Sequence, residues 1–174
     1  SELCTALPSY QLYDLGVASV SRLLAEGFSK KMTQRELPSA VVYAAENHDR
    51  AASRLQETCL KYYPFGFANR AVFSETVIGK LCSVVSDENR IQEENLSRLV
   101  MGSNRALLVE AFDQVFVEDR VPEGFERGLK QVIAKPDLYP FASAKFFGQN
   151  AIHATLGYFA EDAGLTYMLS LIHI

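Results

Sequence analysis

Along the first hundred residues, some stretches have the apolar pattern of a β-strand and others have the apolar spacing of an α-helix. The two kinds of stretch alternate. Residues 2–7 are a weak strand candidate that ends at Pro8. The continuous apolar run at 40–45 is typical of a strand buried on both faces, and residues 71–74 predict a third strand. This alternation predicts βαβ units with a parallel sheet, equivalent to one half of a doubly wound domain.

Two helices are predicted between these strands. Four apolar residues recur at helical spacing after Asp14, namely Val17, Val20, Leu24 and Phe28. We expect Asp14 to cap this helix, because an aspartate oxygen accepts hydrogen bonds from the first free N–H groups. The second helix opens at the polar turn 47–49, and its apolar face carries Ala51, Leu55 and Cys59.

The alternation of predicted strands and helices ends near residue 86. A charged stretch at 86–95 precedes residues 107–118, which alternate in polarity and predict one or two strands. After three prolines the longest helical stretch of the sequence covers about 141–163, and Gly164 is a stop signal.

Composition and charge narrow the classes of function. The net charge of −4 and the scattered Lys and Arg residues give no electrostatic footprint for nucleic acid or anionic lipid. No apolar run approaches the roughly 20 residues that cross a bilayer, and the N-terminus lacks a signal-peptide pattern, so we expect a cytoplasmic protein. The three cysteines are far apart, which predicts reduced, mostly buried thiols, and the three histidines lack the i, i+4 spacing of a helical zinc site.

A Gly-rich turn that would hold a dinucleotide pyrophosphate is missing from the sequence. No GxGxxG pattern occurs in the 174 residues. Either the chain binds no dinucleotide, or the turn precedes these residues. We expect the second, because the chain starts inside a βα pattern. Its last residues, 169–174, continue an apolar run without a cap, so we also expect a cut end and give His173 no functional role.

The sharpest set of chemical groups is Lys145, Asn150 and His153 in the predicted helical stretch. At 100° per residue these side chains lie at about 0°, 140° and 80°, on one side of a helix. Apolar neighbours can lower the pKa of the lysine and make it a base for a secondary alcohol; they are Phe146, Phe147, Ile152 and Leu156. An amide and an imidazole can bind the developing oxyanion. The alternative is a solvated lysine, a surface amide and a half-buried structural histidine.

The same K-x4-N-x2-H pattern resembles the polyol-specific long-chain dehydrogenases, the family of mannitol 2-dehydrogenase and mannitol-1-phosphate 5-dehydrogenase. The flanking sequences 154–158, 110–119 and 42–47 are similar to that family as well. The resemblance implies that residues 1–100 are the C-terminal part of a Rossmann-type NAD(P)-binding domain. Residues 101–174 would be the N-terminal part of a mainly α-helical substrate domain.

The resemblance also implies roles for individual residues. Lys145 would be the general base, with Asn150 and His153 orienting the reacting oxygen. Asn47 follows a buried strand, where ligands of open α/β sheets bind, and would join the oxyanion site. In the other interpretation, Asn47 caps the second helix. Cofactor contacts are assigned to Glu46 and Asn47.

The chain departs from the family after the third strand, where Gly79 replaces an acidic residue and Lys80 stands in place of an arginine. Substrate contacts are therefore expected from Lys80 and Glu75.

The expected activity is oxidation of a hexitol or hexitol phosphate to a ketose with NAD or NADP and without metal, in a monomer or homodimer. Two alternatives stay open. One is a two-domain dehydrogenase of a β-hydroxyacid or sugar acid, and the other is a non-catalytic α/β binding module.

Overall fold

The structure is a computed structural model that describes residues 1–79, 82–111 and 114–165. The chain forms two compact units. The first contains residues 1–78 and the described residues from 115 onward, and the second is Gly79–Gln114. Within the described residues, no helix combines the length and apolar character needed to cross a membrane.

A five-stranded sheet organises the first unit. Its strands are β1 (Glu2–Thr5), β2 (Ala40–Ala44), β3 (Ala71–Val77), β6 (Val115–Glu118) and β7 (Val132–Lys135), in the order β1-β2-β3-β6-β7. β1, β2 and β3 are parallel, β6 is antiparallel to β3, and β7 is parallel to β6. The predicted α/β fold with a mostly parallel sheet is therefore confirmed. β6 and β7 follow the predicted domain boundary at residue 100, and that boundary stays a prediction.

The helices α1 (Val20–Thr33) and α2 (Ala51–Tyr62) connect the three parallel strands. They bury Phe28, Leu55 and Cys59 against alternate residues of β2 and β3, such as Val42 and Phe73. This agrees with the predicted apolar face of α2 and with Phe28 of α1, because alternate strand residues point to one side of a sheet. Val17, the first residue of the predicted α1 face, precedes the helix and is 85% exposed, so that part of the prediction is wrong.

The predicted cap of α1 is wrong. Ser19 is the N-cap, and its hydroxyl accepts a hydrogen bond from the Arg22 N–H at 3.3 Å. Asp14 closes a 3-10 helix (Tyr10–Asp14) and accepts hydrogen bonds from Tyr62 at 2.5 Å and Lys61 at 3.2 Å. The four residues between Asp14 and Ser19 include Gly16 at a φ of +83°, which turns the chain before the helix begins.

The other face of the sheet has its own small core. Val41 and Tyr43 of β2 are buried there with Val117 of β6. The Tyr43 hydroxyl donates to Glu2 at 2.7 Å and accepts from Arg127 at 2.7 Å. Glu2 also accepts from the backbone N–H groups of Gly128 at 2.8 Å and Leu129 at 3.2 Å, so residues 128–129 hold the edge strand β1 in place.

A continuous helical run follows β7. It consists of α4 (Tyr139–Ser143), a π-helical segment (Ala144–Asn150) and α5 (Ala151–Asp162). The run confirms the predicted helical stretch, and Gly164, at a φ of +67°, follows its end as expected.

The second unit contains β4 (Cys82–Val85), α3 (Glu88–Glu93) and β5 (Ala106–Val109). β4 and β5 pair antiparallel around Val85, Ile91 and Ala106. The stretch predicted as one or two strands thus forms two, β5 here and β6 in the first unit.

The three cysteines are free, as predicted, but the expectation that they are mostly buried is wrong. Cys59 is buried in α2, whereas Cys4 and Cys82 lie exposed on β1 and β4. Both exposed thiols lie in strands with little cover from the rest of their unit, since β1 is at the edge of its sheet and β4 belongs to a sheet of two strands.

Candidate active site

A cleft of about 750 Å³ lies in the first unit. It is bordered by residues 46–50 after β2, by the last residues of β3, by Glu118 at the end of β6, and by the segment 136–139 after β7. Residues of α4 and the π-helical segment complete the lining, including Lys145 and Asn150. Sequence elements far apart in the chain therefore meet at one concave surface, the usual form of a small-molecule site.

Lys145 and Asn47 are in direct contact in this cleft. The Lys145 ammonium donates a hydrogen bond to Asn47 Oδ1 at 2.8 Å, although the two residues are 98 positions apart. Asn47 therefore does not cap α2, whose N-cap position is Arg50. With its oxygen bound to lysine, the amide of Asn47 keeps its NH₂ group as a donor for a ligand.

Lys145 lies in the π-helical segment rather than in an α-helix. In a π-helix the hydrogen bond runs from residue i to i+5, so residues five apart are neighbours on the same side of the helix. Lys145 and Asn150 have this separation and both line the cleft. Around the helix axis, the angle between the side chains of Lys145 and Asn150 is therefore smaller than the roughly 140° expected for an α-helix. Single π turns occur frequently at functional sites.

Burial lowers the pKa of the Lys145 ammonium below its ordinary value. The predicted direction was right, but the predicted apolar wall was right only in part. Phe146 and Phe147 line the cleft with side chains 61% and 70% exposed, and Ile152 is exposed outside it. The lysine is half-buried by the lining of the cleft as a whole.

His153 belongs to α5 and is half-buried. It is absent from the lining of the cleft, as far as the described residues show. The structure therefore brings Lys145, Asn47 and Asn150 to one cleft and does not bring His153 to it. A role for His153 stays a prediction.

Glu46 stabilises the end of β1 through hydrogen bonds. It is 5% exposed, and its carboxylate accepts hydrogen bonds from the hydroxyl groups of Tyr13 and Thr5 and from the Leu7 N–H. Burial together with the bond to Glu46 raises the pKa of Tyr13 well above its ordinary value, so the phenol stays a donor. Three contacts thus hold the carboxylate of Glu46 within the protein, next to Asn47 in sequence.

Glu75, predicted as a substrate contact, caps α2 from the end of β3. Its carboxylate accepts from the N–H groups of Ala52 and Ser53, each at 2.9 Å, and from the Ser53 hydroxyl at 3.0 Å. Lys80, the other predicted substrate contact, lies outside the described residues, as does Phe112.

Three acidic cleft residues were missed by the sequence reasoning: Asp49 in the turn after β2, Glu118 at the end of β6 and Asp137 after β7. Glu118 lies within the stretch 117–119 that supported the family resemblance. Its position at a strand end was the available signal, because ligands of open α/β sheets bind beyond such ends.

Comparison of the sequence with models of known protein families and with curated proteins gave no match.

Proposed function

We propose that this chain carries the proton-transfer residues of an NAD(P)-dependent polyol dehydrogenase, with Lys145 as the general base. The contact of Lys145 with Asn47 inside the cleft is the observation that carries the proposal. The lowered pKa of Lys145 supports it, because only a neutral amine can accept a proton from an alcohol.

The chemistry assigned to these residues is as follows. The secondary hydroxyl of the substrate gives its proton to the Lys145 amine, which becomes an ammonium. The amide groups of Asn47 and Asn150 donate hydrogen bonds to the oxygen as negative charge develops there. The oxidation also requires a nicotinamide that takes the hydride from the same carbon.

The described residues do not themselves provide a pyrophosphate site for that cofactor. Helix N-termini are the usual anion sites of such folds. The first N–H groups of α2 are bound to Glu75, and Ser19 caps α1. No Gly-rich turn occurs in the 174 residues. We therefore assign proton transfer and substrate orientation to this chain, and the cofactor contacts of Glu46 and Asn47 stay a prediction.

A non-catalytic α/β binding module is the second candidate, and the occupied helix N-termini favour it. The two functions differ in what they require of Lys145. A binding module needs no lysine with a lowered pKa in contact with an amide, whereas the dehydrogenase does.

The proposal also includes the domain organisation, the location and the oligomeric state of the protein. A Rossmann-type unit followed by a helical substrate domain, a cytoplasmic location and a monomeric or dimeric state accompany the dehydrogenase function.

The proposal is tested with Lys145→Ala in the longest natural polypeptide that contains these residues. Loss of a general base should lower kcat for hexitol oxidation by about 10²–10⁴ and leave cofactor affinity unchanged. The matched control is Lys130→Ala, which removes an exposed lysine outside the cleft. In the unsubstituted protein, the rate should rise with pH through an apparent pKa below that of a free lysine. A kcat of Lys145→Ala within about threefold of the parent, too small a loss for a general base, would refute the role of Lys145.

A further inference from the structure

The cleft around Lys145 is acidic. Its described lining has two basic residues, Arg50 and Lys145, against five carboxylates: Glu46, Asp49, Glu75, Glu118 and Asp137. A phosphate monoester carries about −1.5 to −2 charges at neutral pH and is repelled by such a lining. An uncharged polyol is not repelled, and its hydroxyl groups can donate to carboxylates.

The helix N-terminus at the cleft is closed to a phosphate group. The backbone N–H groups that open α2 are the natural anion donors of this surface. The carboxylate of Glu75 already accepts from two of them at 2.9 Å. A phosphate ester would have to displace a carboxylate of the protein itself to reach these donors.

The five carboxylates are not equivalent. Contacts within the protein engage Glu46 and Glu75 as described above. Asp137 accepts from the Tyr139 N–H at 2.8 Å, and Asp49 lies 3.2 Å from His48 Nδ1. These four carboxylates contribute to the shape and the negative charge of the cleft. They have fewer acceptor positions left for a ligand than a carboxylate without contacts in the protein.

Glu118 differs from them. Its carboxylate is half-buried in the cleft and, among the described contacts, accepts one long hydrogen bond, from the Glu75 N–H at 3.4 Å. Lys135, its register partner on β7, lies over the rings of Phe116 and Phe141, with Nζ 5.5 and 5.0 Å from their centroids. Glu118 therefore presents a carboxylate with free acceptor positions to the cleft.

We infer that Glu118 accepts hydrogen bonds from the hydroxyl groups of an uncharged polyol and that the cleft selects this substrate over phosphate esters. The inference rests on the proposed dehydrogenase function and narrows its substrate class. It also disfavours a β-hydroxyacid or sugar acid, because the carboxylate of such a substrate meets the same repulsion.

The test compares a hexitol with its 1-phosphate as ligands of the full 174-residue chain. Binding is followed by saturation-transfer NMR on the ligand and by amide shifts of the protein. The hexitol should bind at least about tenfold more tightly than the phosphate, a difference of about 1.4 kcal/mol. Raising the salt concentration from about 0.02 M to about 0.5 M should narrow this preference, because it screens the repulsion.

Glu118→Gln keeps the shape of the side chain and removes its charge. It should weaken hexitol binding, strengthen binding of the phosphate and reduce the preference to less than about threefold, or about 0.6 kcal/mol. Glu123→Gln makes the same charge change at an exposed residue outside the cleft and should leave the preference intact.

The possible failures are distinguishable. If the hexitol binds without preference over the phosphate, or if Glu118→Gln keeps the full preference, the inference about Glu118 is overturned while the proposed function stands. If neither compound binds, the inference is overturned, and the proposed function is decided separately by the kcat of Lys145→Ala in the longer polypeptide. The salt dependence is measured on the unsubstituted chain, so a poorly folded variant does not decide the outcome.

Discussion

Replacing Asn47 with aspartate should raise the pKa of Lys145 in the 174-residue chain. The side chains are nearly identical in shape, so the substitution places a negative charge where Asn47 Oδ1 now accepts a hydrogen bond from Nζ at 2.8 Å. An opposite charge at this distance stabilises the ammonium and opposes the effect of burial, which lowers the pKa of Lys145.

The size of the effect follows from that distance. Because Asn47 is exposed, the dielectric constant of water sets a lower limit for the interaction. Two unit charges 2.8 Å apart attract by about 1.5 kcal/mol in water, which corresponds to a rise in pKa of about one pH unit. In the dehydrogenase, the same substitution should move the pH dependence of alcohol oxidation to higher pH, since the amine must lose its proton before it can act.

The assay is a pH titration of the lysine ¹³Cε signals by NMR, with the Lys145 signal assigned from its loss in Lys145→Arg. The control is Asn69→Asp, which makes the same charge change at an exposed amide outside the cleft. A shift for Asn47→Asp no larger than that of the control would show that Lys145 and Asn47 are not in contact in solution. The geometric basis of the proposed base would then be removed.

Three further results are expected. Glu46→Ala should lower the free energy of unfolding by at least about 2 kcal/mol in urea denaturation, because it leaves the buried Tyr13 hydroxyl without its acceptor. Glu57→Ala, at an exposed position of α2, should change it by less than about 0.5 kcal/mol, and equal effects would contradict the bracing role of Glu46. A thiol reagent should label Cys4 and Cys82 rapidly in the native chain and Cys59 only after denaturation, so three rapid thiols would contradict the packing of α2. Burial raises the pKa of Cys59 from 9.0 to about 12, so above pH 9.0 the unfolded chain loses a proton that the folded chain keeps. Stability should therefore fall as pH rises from 9 to 12, and Cys59→Ala should remove part of that loss, measured as the urea midpoint against pH.

Several features of the fold follow directly from local sequence. The apolar run at 40–45 predicted the buried strand β2, and the spacing of Ala51, Leu55 and Cys59 predicted the buried face of α2. Both were correct because burial of a regular element imposes the period of that element on its apolar residues. The cap of α1 was wrong because Asp14 and Ser19 are both good capping residues, and only the turn at Gly16 decides between them.

The candidate site was predictable only in part. Lys145 and Asn150 were found from their spacing, and Asn47 from its position after a buried strand. The spacing argument assumed an α-helix and therefore included His153. The π-helical segment changes the direction of Lys145 relative to the residues that follow it, and His153 is not among the described residues of the cleft.

The sequence by itself indicated the strands β1 to β3 and the helices α1 and α2, because period, capping and turn residues act over a few positions, whereas β4, α3 and β7 were not predicted. It also determined which residue types are available for chemistry. Only the tertiary structure decided that Lys145 meets Asn47 across 98 positions, that Glu75 occupies the N-terminus of α2, and that Glu118 keeps a carboxylate for a ligand. These outcomes depend on the order and register of strands that pair at long range, and neighbouring residues in the sequence carry little information about such pairing.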